Sequence, residues 1–187
     1  MSATLTIIGA LALWTGPIAD PPAPDPNEPR QQESPKRQPR GDVQETIDAY
    51  LKTDPGMSKF FDNAAGYAVF PAIGKGGFIV GGAHGEGELI AKGRGAIGKA
   101  SMTQVTYGLQ FGGQDYNEII FFETPVDVER FKTGGLELAA QVSIVVVTLG
   151  AADGADYKDG VAVFTRTKAG AMYEASVGGQ GFDFDPY

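Results

Sequence analysis

The sequence predicts an α+β, β-dominated fold: a small, strongly curved antiparallel sheet or barrel, with about three short helices packed outside. Two observations carry this. Fourteen of the 48 residues from Gly66 to Gly113 are glycine, yet large apolar residues alternate with them. Glycine weakens a strand unless the chain must bend sharply or backbones must approach closely, and a tightly curved sheet needs both. Ahead of this region, apolar residues recur at helical spacing instead.

Asp42 followed by Glu45 reads as a helix start, with Asp42 as the cap and Glu45 reaching back to it. Val43, Ile47, Tyr50 and Leu51 share one face of that helix. Asp54-Pro55 signals a second start, because proline suits the first helical position, and Met57, Phe60, Phe61 and Ala64 follow before Gly66 ends it. From Tyr67 the period becomes two. Tyr67–Pro71 and Gly77–Ala83 read as strands. Met102–Phe111 and Tyr116–Glu123 read as a hairpin around Gly112-Gly113-Gln114-Asp115. Thr124-Pro125 opens a third helix, with Val128 and Phe131 on one side and Gly134-Gly135 at its end. Gln141–Leu149 is apolar and β-branched, the composition of a buried strand. Val161–Thr165 and Met172–Val177 read as a last hairpin around Lys168-Ala169-Gly170.

These elements fill residues 42–187 as one domain. Residues 1–20 form a signal-like segment, whose apolar run Ala3–Trp14 is too short to span a bilayer of about 20 helical residues. The readings for that run are an export signal or loose anchor, and a disordered apolar tail. Residues 21–41 belong to a proline-rich linker: eight of the chain's twelve prolines fall between Pro17 and Pro39. With almost no large apolar side chains, this stretch buries too little to fold and reads as an extended spacer.

The net charge of −8 argues against nucleic acid as partner, since phosphate binding needs a basic surface. The only net-positive stretch is residues 72–107, with four bases against two acids. With no cysteine, thiol nucleophiles and thiolate zinc sites are excluded. Catalytic templates fail one by one, and no enzyme is expected. Gly93-Arg94-Gly95-Ala96-Ile97-Gly98 fits a dinucleotide-binding spacing, but the residues after it read as a loop entering a strand, not a helix. His84, beside Glu86 and Glu88, is the only histidine, and a catalytic zinc wants more such ligands; it reads as a surface residue. No G-x-S-x-G surrounds any serine. Asp153, Asp156 and Asp159 cluster in a loop that could bind calcium but lacks a helix–loop–helix spacing. No cofactor is expected.

Phe60-Phe61-Asp62-Asn63-Ala64-Ala65-Gly66-Tyr67-Ala68-Val69-Phe70-Pro71, followed by Ile73-Gly74-Lys75-Gly76-Gly77-Phe78, resembles the SYLF domain family, lipid-binding modules also called actin-binding domains after a yeast actin-patch protein. The likeness continues through Tyr107–Gln114, Glu118–Phe122, Phe131–Leu138 and Arg166–Gly170. A stand-alone domain behind a signal-like segment is similar to the bacterial members. The resemblance implies a barrel-like core with packed helices and binding of anionic membrane lipids, phosphoinositides among them. In eukaryotic members, lipid binding is associated with a basic segment at the start of the domain. Here that segment, Asp42–Phe61, holds only Lys52 and Lys59 as bases.

The expected function is therefore non-enzymatic binding of anionic phospholipid or phosphoinositide headgroups. Lys75, Lys92, Arg94 and Lys99 in the glycine-rich region are the expected contacts, helped by Lys52 and Lys59. The alternative is a structural or protein-interaction module of the cell envelope, which exposed aromatic side chains at Phe182, Phe184 and Tyr187 would favour. Membrane phospholipid is the expected partner, a protein partner is the second reading, and actin is not expected. Export or membrane association is the expected location, periplasm or envelope in a bacterium, with the cytoplasm left open.

Overall fold

Helix α1, Gly41–Thr53, forms because Val43, Ile47 and Tyr50 make one buried stripe on an otherwise polar segment. Its start differs from the expectation. Arg40 is the N-cap and has no side-chain capping bond, while Asp42 lies in the first turn. The reason is tertiary: the Arg40 backbone N–H donates to Glu88 Oε2 at 2.8 Å, so a distant strand fixes where the helix begins. Asp42 instead accepts from the Arg40 guanidinium and the Val43 N–H. Asp54 caps the following 3-10 turn, Pro55–Met57, by accepting from the Gly56 N–H. Its other oxygen accepts from the Ala152 N–H at 2.7 Å. These backbone donors, that of Ala152 foremost, hold the Asp54 carboxyl below its ordinary range. Helix α2 spans Ser58–Asn63.

The structure, a computed structural model, describes residues 36–77, 80–109, 114–138, 144–167 and 175–187. The apolar run at 3–14, most of the linker, Phe78, the turn at 110–113 and the segment Lys168–Glu174 lie outside these residues, so the readings placed there are not described. Residues Ser34–Tyr187 form one compact unit. The strands are β1 Gly66–Gly77, β2 Val80–Ala91, β3 Gly95–Leu109, β4 Gln114–Phe122, β5 Glu137–Leu138, β6 Ile144–Val146, β7 Val161–Thr167 and β8 Ala175–Pro186. Helix α3, Pro125–Lys132, lies between β4 and β5. It has the expected Thr124 cap, with a full Thr124–Asp127 capping box and Pro125 at the first position.

One sheet takes the order β5-β8-β3-β2-β1-β4-β7-β6. All pairs are antiparallel except β6–β7. Both expected hairpins are therefore wrong: β3 pairs with β2 and β8, and β4 pairs with β1 and β7. Of the two expected forms, the strongly curved sheet is the one observed and the barrel is not. The described sheet ends at two edges, β5 and β6, and is strongly curled without closing.

The curl is measurable. In a flat sheet, β4 and β8 would lie about 19 Å apart, four strand spacings of about 4.8 Å. Here Gln180 Nε2 of β8 donates to Glu118 Oε2 of β4 at 3.2 Å. The Phe70 and Phe182 rings, from β1 and β8, are 5.9 Å apart. The concave face holds Phe70, Leu89, Met102, Phe122, Phe131 and Phe182. The convex face of β1, β4 and β7 is covered by α1 and α2, with Tyr50, Phe60, Ile119, Phe121 and Phe164 as its core. This explains why Ile119–Phe122 and Val161–Phe164 are apolar without alternation: both faces of those strands are buried.

Tyr50 ties this second core together, donating from its buried hydroxyl to the backbone carbonyls of Asn117 (2.8 Å) and Phe164 (3.1 Å). Tyr50→Phe removes a donor from two buried acceptors and should cost about 1–3 kcal/mol. Urea unfolding measures this directly, and an unchanged midpoint would refute the role.

The run Gln141–Leu149 is not the buried strand its composition predicts. Its described part forms β6 at an edge of the sheet, where Ile144 and Val146 are each 49% exposed and Leu149 82%. Of this run, Val147 reaches the convex core, with Val145 packed partly against it.

Candidate functional site

The β2–β3 connection is a tight turn, Lys92-Gly93-Arg94, with Gly93 (φ 79°) and Gly95 (φ 78°) both left-handed. Gly95 is fixed twice over, since a Cβ there would sit 2.3 Å from the Arg37 carbonyl oxygen. The Ala96 N–H donates to that same oxygen at 2.9 Å. The turn is held to the body of the domain by Lys92 N–H to Ala65 O (3.0 Å) and Lys92 Nζ to Asp62 O (2.7 Å). The dinucleotide-like spacing Gly93–Gly98 thus lies in a turn and the strand after it, with no helix following.

This turn presents Lys92 and Arg94 to a groove of about 510 Å³. The opposite rim is the last turn of α3, where Lys132 bonds Glu129 at 2.7 Å. Ala65, Ile97 and Val128 line the groove with apolar surface, and Glu123 and Glu129 also border it. Three cations against two carboxylates make a rim of modest positive excess above an apolar floor. A second cavity of about 560 Å³ shares Lys132 and adds Arg40 and Lys99, but Glu86, Asp183 and Asp185 balance them.

The six expected contacts are thereby separated. Lys92 and Arg94 come together in one groove. Lys99 lies in the neighbouring cavity, its β-ladder partners being Glu88 and Asp185. Lys52 is exposed on α1, and Lys59 is exposed on α2 with its ammonium 5.2 Å from the Phe60 ring centre. Lys75 lies on β1, and its side chain is outside the described ones. Lys132 was missed. Lys132 belongs to the basic end of a well-signalled helix, where a cation also complements the helix dipole.

His84 is exposed on β2, as its surface reading expects. Among the described residues no three His, Asp or Glu side chains gather in a metal-holding group, so Asp153, Asp156 and Asp159 are not brought together as one. The C-terminal aromatics do not form an exposed patch. Phe182 is in the concave core with Phe184 packed partly against it. The Tyr187 hydroxyl bonds Glu88 Oε1, under an Arg37 guanidinium 4.4 Å from the ring centre. Desolvation, and then the Glu88 carboxylate, push the Tyr187 phenol up to about 12. Glu88 thus clasps the chain before α1 and the end of β8 at one point.

Residues 103–186 match the Ysc84 family, described as Las17-binding protein actin regulator. That match agrees with the SYLF resemblance read from the sequence. Among curated proteins, Beta cell expansion factor A of Aeromonas veronii is 27% identical over 131 residues, covering 70% of this chain. The match spans half the length of that relative.

Proposed function

We propose that the protein is a non-enzymatic module that attaches to anionic membrane lipids through the groove between the β2–β3 turn and α3. The observation that carries this reading is the convergence of Lys92, Arg94 and Lys132 on one groove with an apolar floor. A phospholipid presents the complementary chemistry, an anionic headgroup on an apolar glycerol ester. Each basic residue near an anionic surface contributes about 1 kcal/mol, so attachment through this rim is weak, reversible and salt-sensitive. Phosphoinositides, with their extra phosphates, are the tightest expected ligands. An exported or envelope-associated setting suits this role. Among the described residues no helix is long and apolar enough to cross a membrane.

The full chain should co-sediment with vesicles containing phosphatidylserine or phosphoinositide, not with pure phosphatidylcholine, and high salt should release it. Equal sedimentation with neutral vesicles would contradict the electrostatic basis. A second reading, a protein-interaction module of the cell envelope, is favoured by the β6 edge, where Ile144, Val146 and Leu149 are exposed together with the outer side of an edge strand. Failure to bind any vesicle would turn the account toward it.

A further inference from the structure

The interior of the curled sheet is apolar around Phe70, Phe122 and Phe182 and polar further along the same strands. Glu118, fully buried on β4, faces Gln180 of β8 and has Thr165 of β7 as its ladder neighbour. Gln180 Nε2 is shared between Glu118 Oε2 and Gln104 Oε1 of β3, each at 3.2 Å. Gln104 Oε1 also accepts from the Tyr116 hydroxyl at 3.0 Å. Glu118 Oε1, Gln180 Oε1 and Thr165 Oγ1 are buried without a hydrogen-bond partner.

With Glu118 ionised, two buried oxygens, Glu118 Oε1 and Gln180 Oε1, lack a donor, and the one unpartnered donor in the cluster is the Thr165 hydroxyl. The amide of Gln180 already serves two oxygens, the Tyr116 hydroxyl serves Gln104, and two carboxylate or amide oxygens remain unserved. An unpaired buried acceptor is costly, and an unpaired buried charge more so. No cation offsets it among the described neighbours. Facing Glu118 are Tyr116 from its own strand, Phe70 from β1, Thr165 from β7, Gln180 from β8 and Gln104 from β3. Arg166 follows Thr165 and so lies on the other face of the sheet, where Tyr50 of α1 also sits.

We infer that this cluster is a proton-binding site, in which a proton on Glu118 supplies the missing donor and braces β8 against β4 across the curl. No covalent step is involved: the carboxylate takes up one proton from solvent and its O–H donates to a buried oxygen of Gln180 or Thr165. Burial pushes the Glu118 carboxyl up to about 7 from an ordinary 4.5, with the Gln180 bond pulling modestly the other way. The sign follows from linkage. The fold holds this proton more tightly than the unfolded chain does, so its stabilising effect is complete below about pH 4.5 and is lost as pH rises toward 7.

The test uses the full chain. Carboxyl carbon NMR, with the Glu118 signal assigned by its loss in Glu118→Gln, should show a midpoint near 7. A midpoint near 4.5 overturns the site. Gln180→Leu removes both the amide donor to the carboxylate and an acceptor for its proton, and should move that midpoint; an unmoved midpoint removes Gln180 from the site. Backbone hydrogen exchange in β8, corrected for the intrinsic pH dependence, should be slower at pH 6 than at pH 8 in the parent and equal at both in Glu118→Gln. Equal exchange in the parent would overturn the brace. If Glu118→Gln fails to fold, the parent's titration and exchange still decide, with the Glu118 signal assigned by sequential NMR.

Discussion

Gly87→Ala should abolish most folded protein at 37 °C. Strand β1 carries a bulge, its register against β2 shifting between Val69 and Ala72 around Pro71, which has no N–H to give the ladder. Gly87 of β2 lies behind that bulge. A Cβ there would stand 2.0 Å from the Val69 carbonyl oxygen and 2.9 Å from the Phe70 ring. The first obstacle is backbone in the middle of the sheet, so rotamer changes cannot relieve it. Overpacking a core costs about 1–3 kcal/mol when side chains can adjust, and a fixed backbone clash belongs to the rarer losses above about 4 kcal/mol. Against a total of about 5–15 kcal/mol, that leaves a marginal protein. Soluble yield and urea unfolding read the effect. A variant as stable as the parent would show that the bulge is not packed against β2 as described.

Phe121→Ala should cost about 3–5 kcal/mol, the usual range for emptying a buried phenylalanine site. Phe121 is the hub of the convex core. Its ring centre is 4.8 Å from Phe61, 5.4 Å from Phe60, and 5.7 Å from both Tyr67 and Phe164. These neighbours come from α2, β1 and β7, so the void opens between the helix layer and the sheet and cannot collapse by moving one side chain. Urea unfolding should show a lower midpoint with near-UV circular dichroism reduced. A loss below about 1 kcal/mol would mean that α2 contributes little to the fold.

Much of the fold could be read from local pattern. The Thr124-Pro125 cap and the buried stripe of α1 report short-range requirements and stand where expected, whereas the strands expected at Tyr67–Pro71 and Gly77–Ala83 are β1 running on through the glycines to Gly77 and β2 running from Val80 to Ala91. What failed was adjacency. Hairpins were inferred from sequence proximity for β3–β4 and β7–β8, but a turn signal does not say which edge a strand joins. A different signal was present. Ile119–Phe122 and Val161–Phe164 are apolar without alternation, whereas β3 alternates through Lys99, Ser101 and Thr103, and β8 through Gly181, Asp183 and Asp185. Strands apolar on both faces belong together under helices, and alternating strands belong together where one face meets water. The pairs β4–β7 and β3–β8 follow from that rule. The β6 run misled in the opposite direction, because composition cannot tell a buried strand from an exposed edge.

The groove was half legible. Lys92 and Arg94 stand out as charges in a glycine turn, but Lys132 reaches them only because α3 packs against β1, β4 and β8. The Glu118 cluster was invisible, since its members come from β3, β4, β7 and β8 and meet only once the sheet curls.

The central claim is that the groove, rather than the face of α1 and α2, contacts lipid. It is tested by comparing Lys92→Glu/Arg94→Glu with Lys52→Glu/Lys59→Glu in the full chain. Both pairs change the net charge by the same amount and reverse exposed side chains. Binding to phosphatidylserine vesicles at low salt should fall about 10-fold or more for the first pair, as loss and reversal of two headgroup contacts of about 1 kcal/mol each require. The second pair should change it by less than about 3-fold. Equal losses for both pairs would reduce the effect to net charge, and a larger loss for Lys52→Glu/Lys59→Glu would place the lipid contact on the helices and contradict the account.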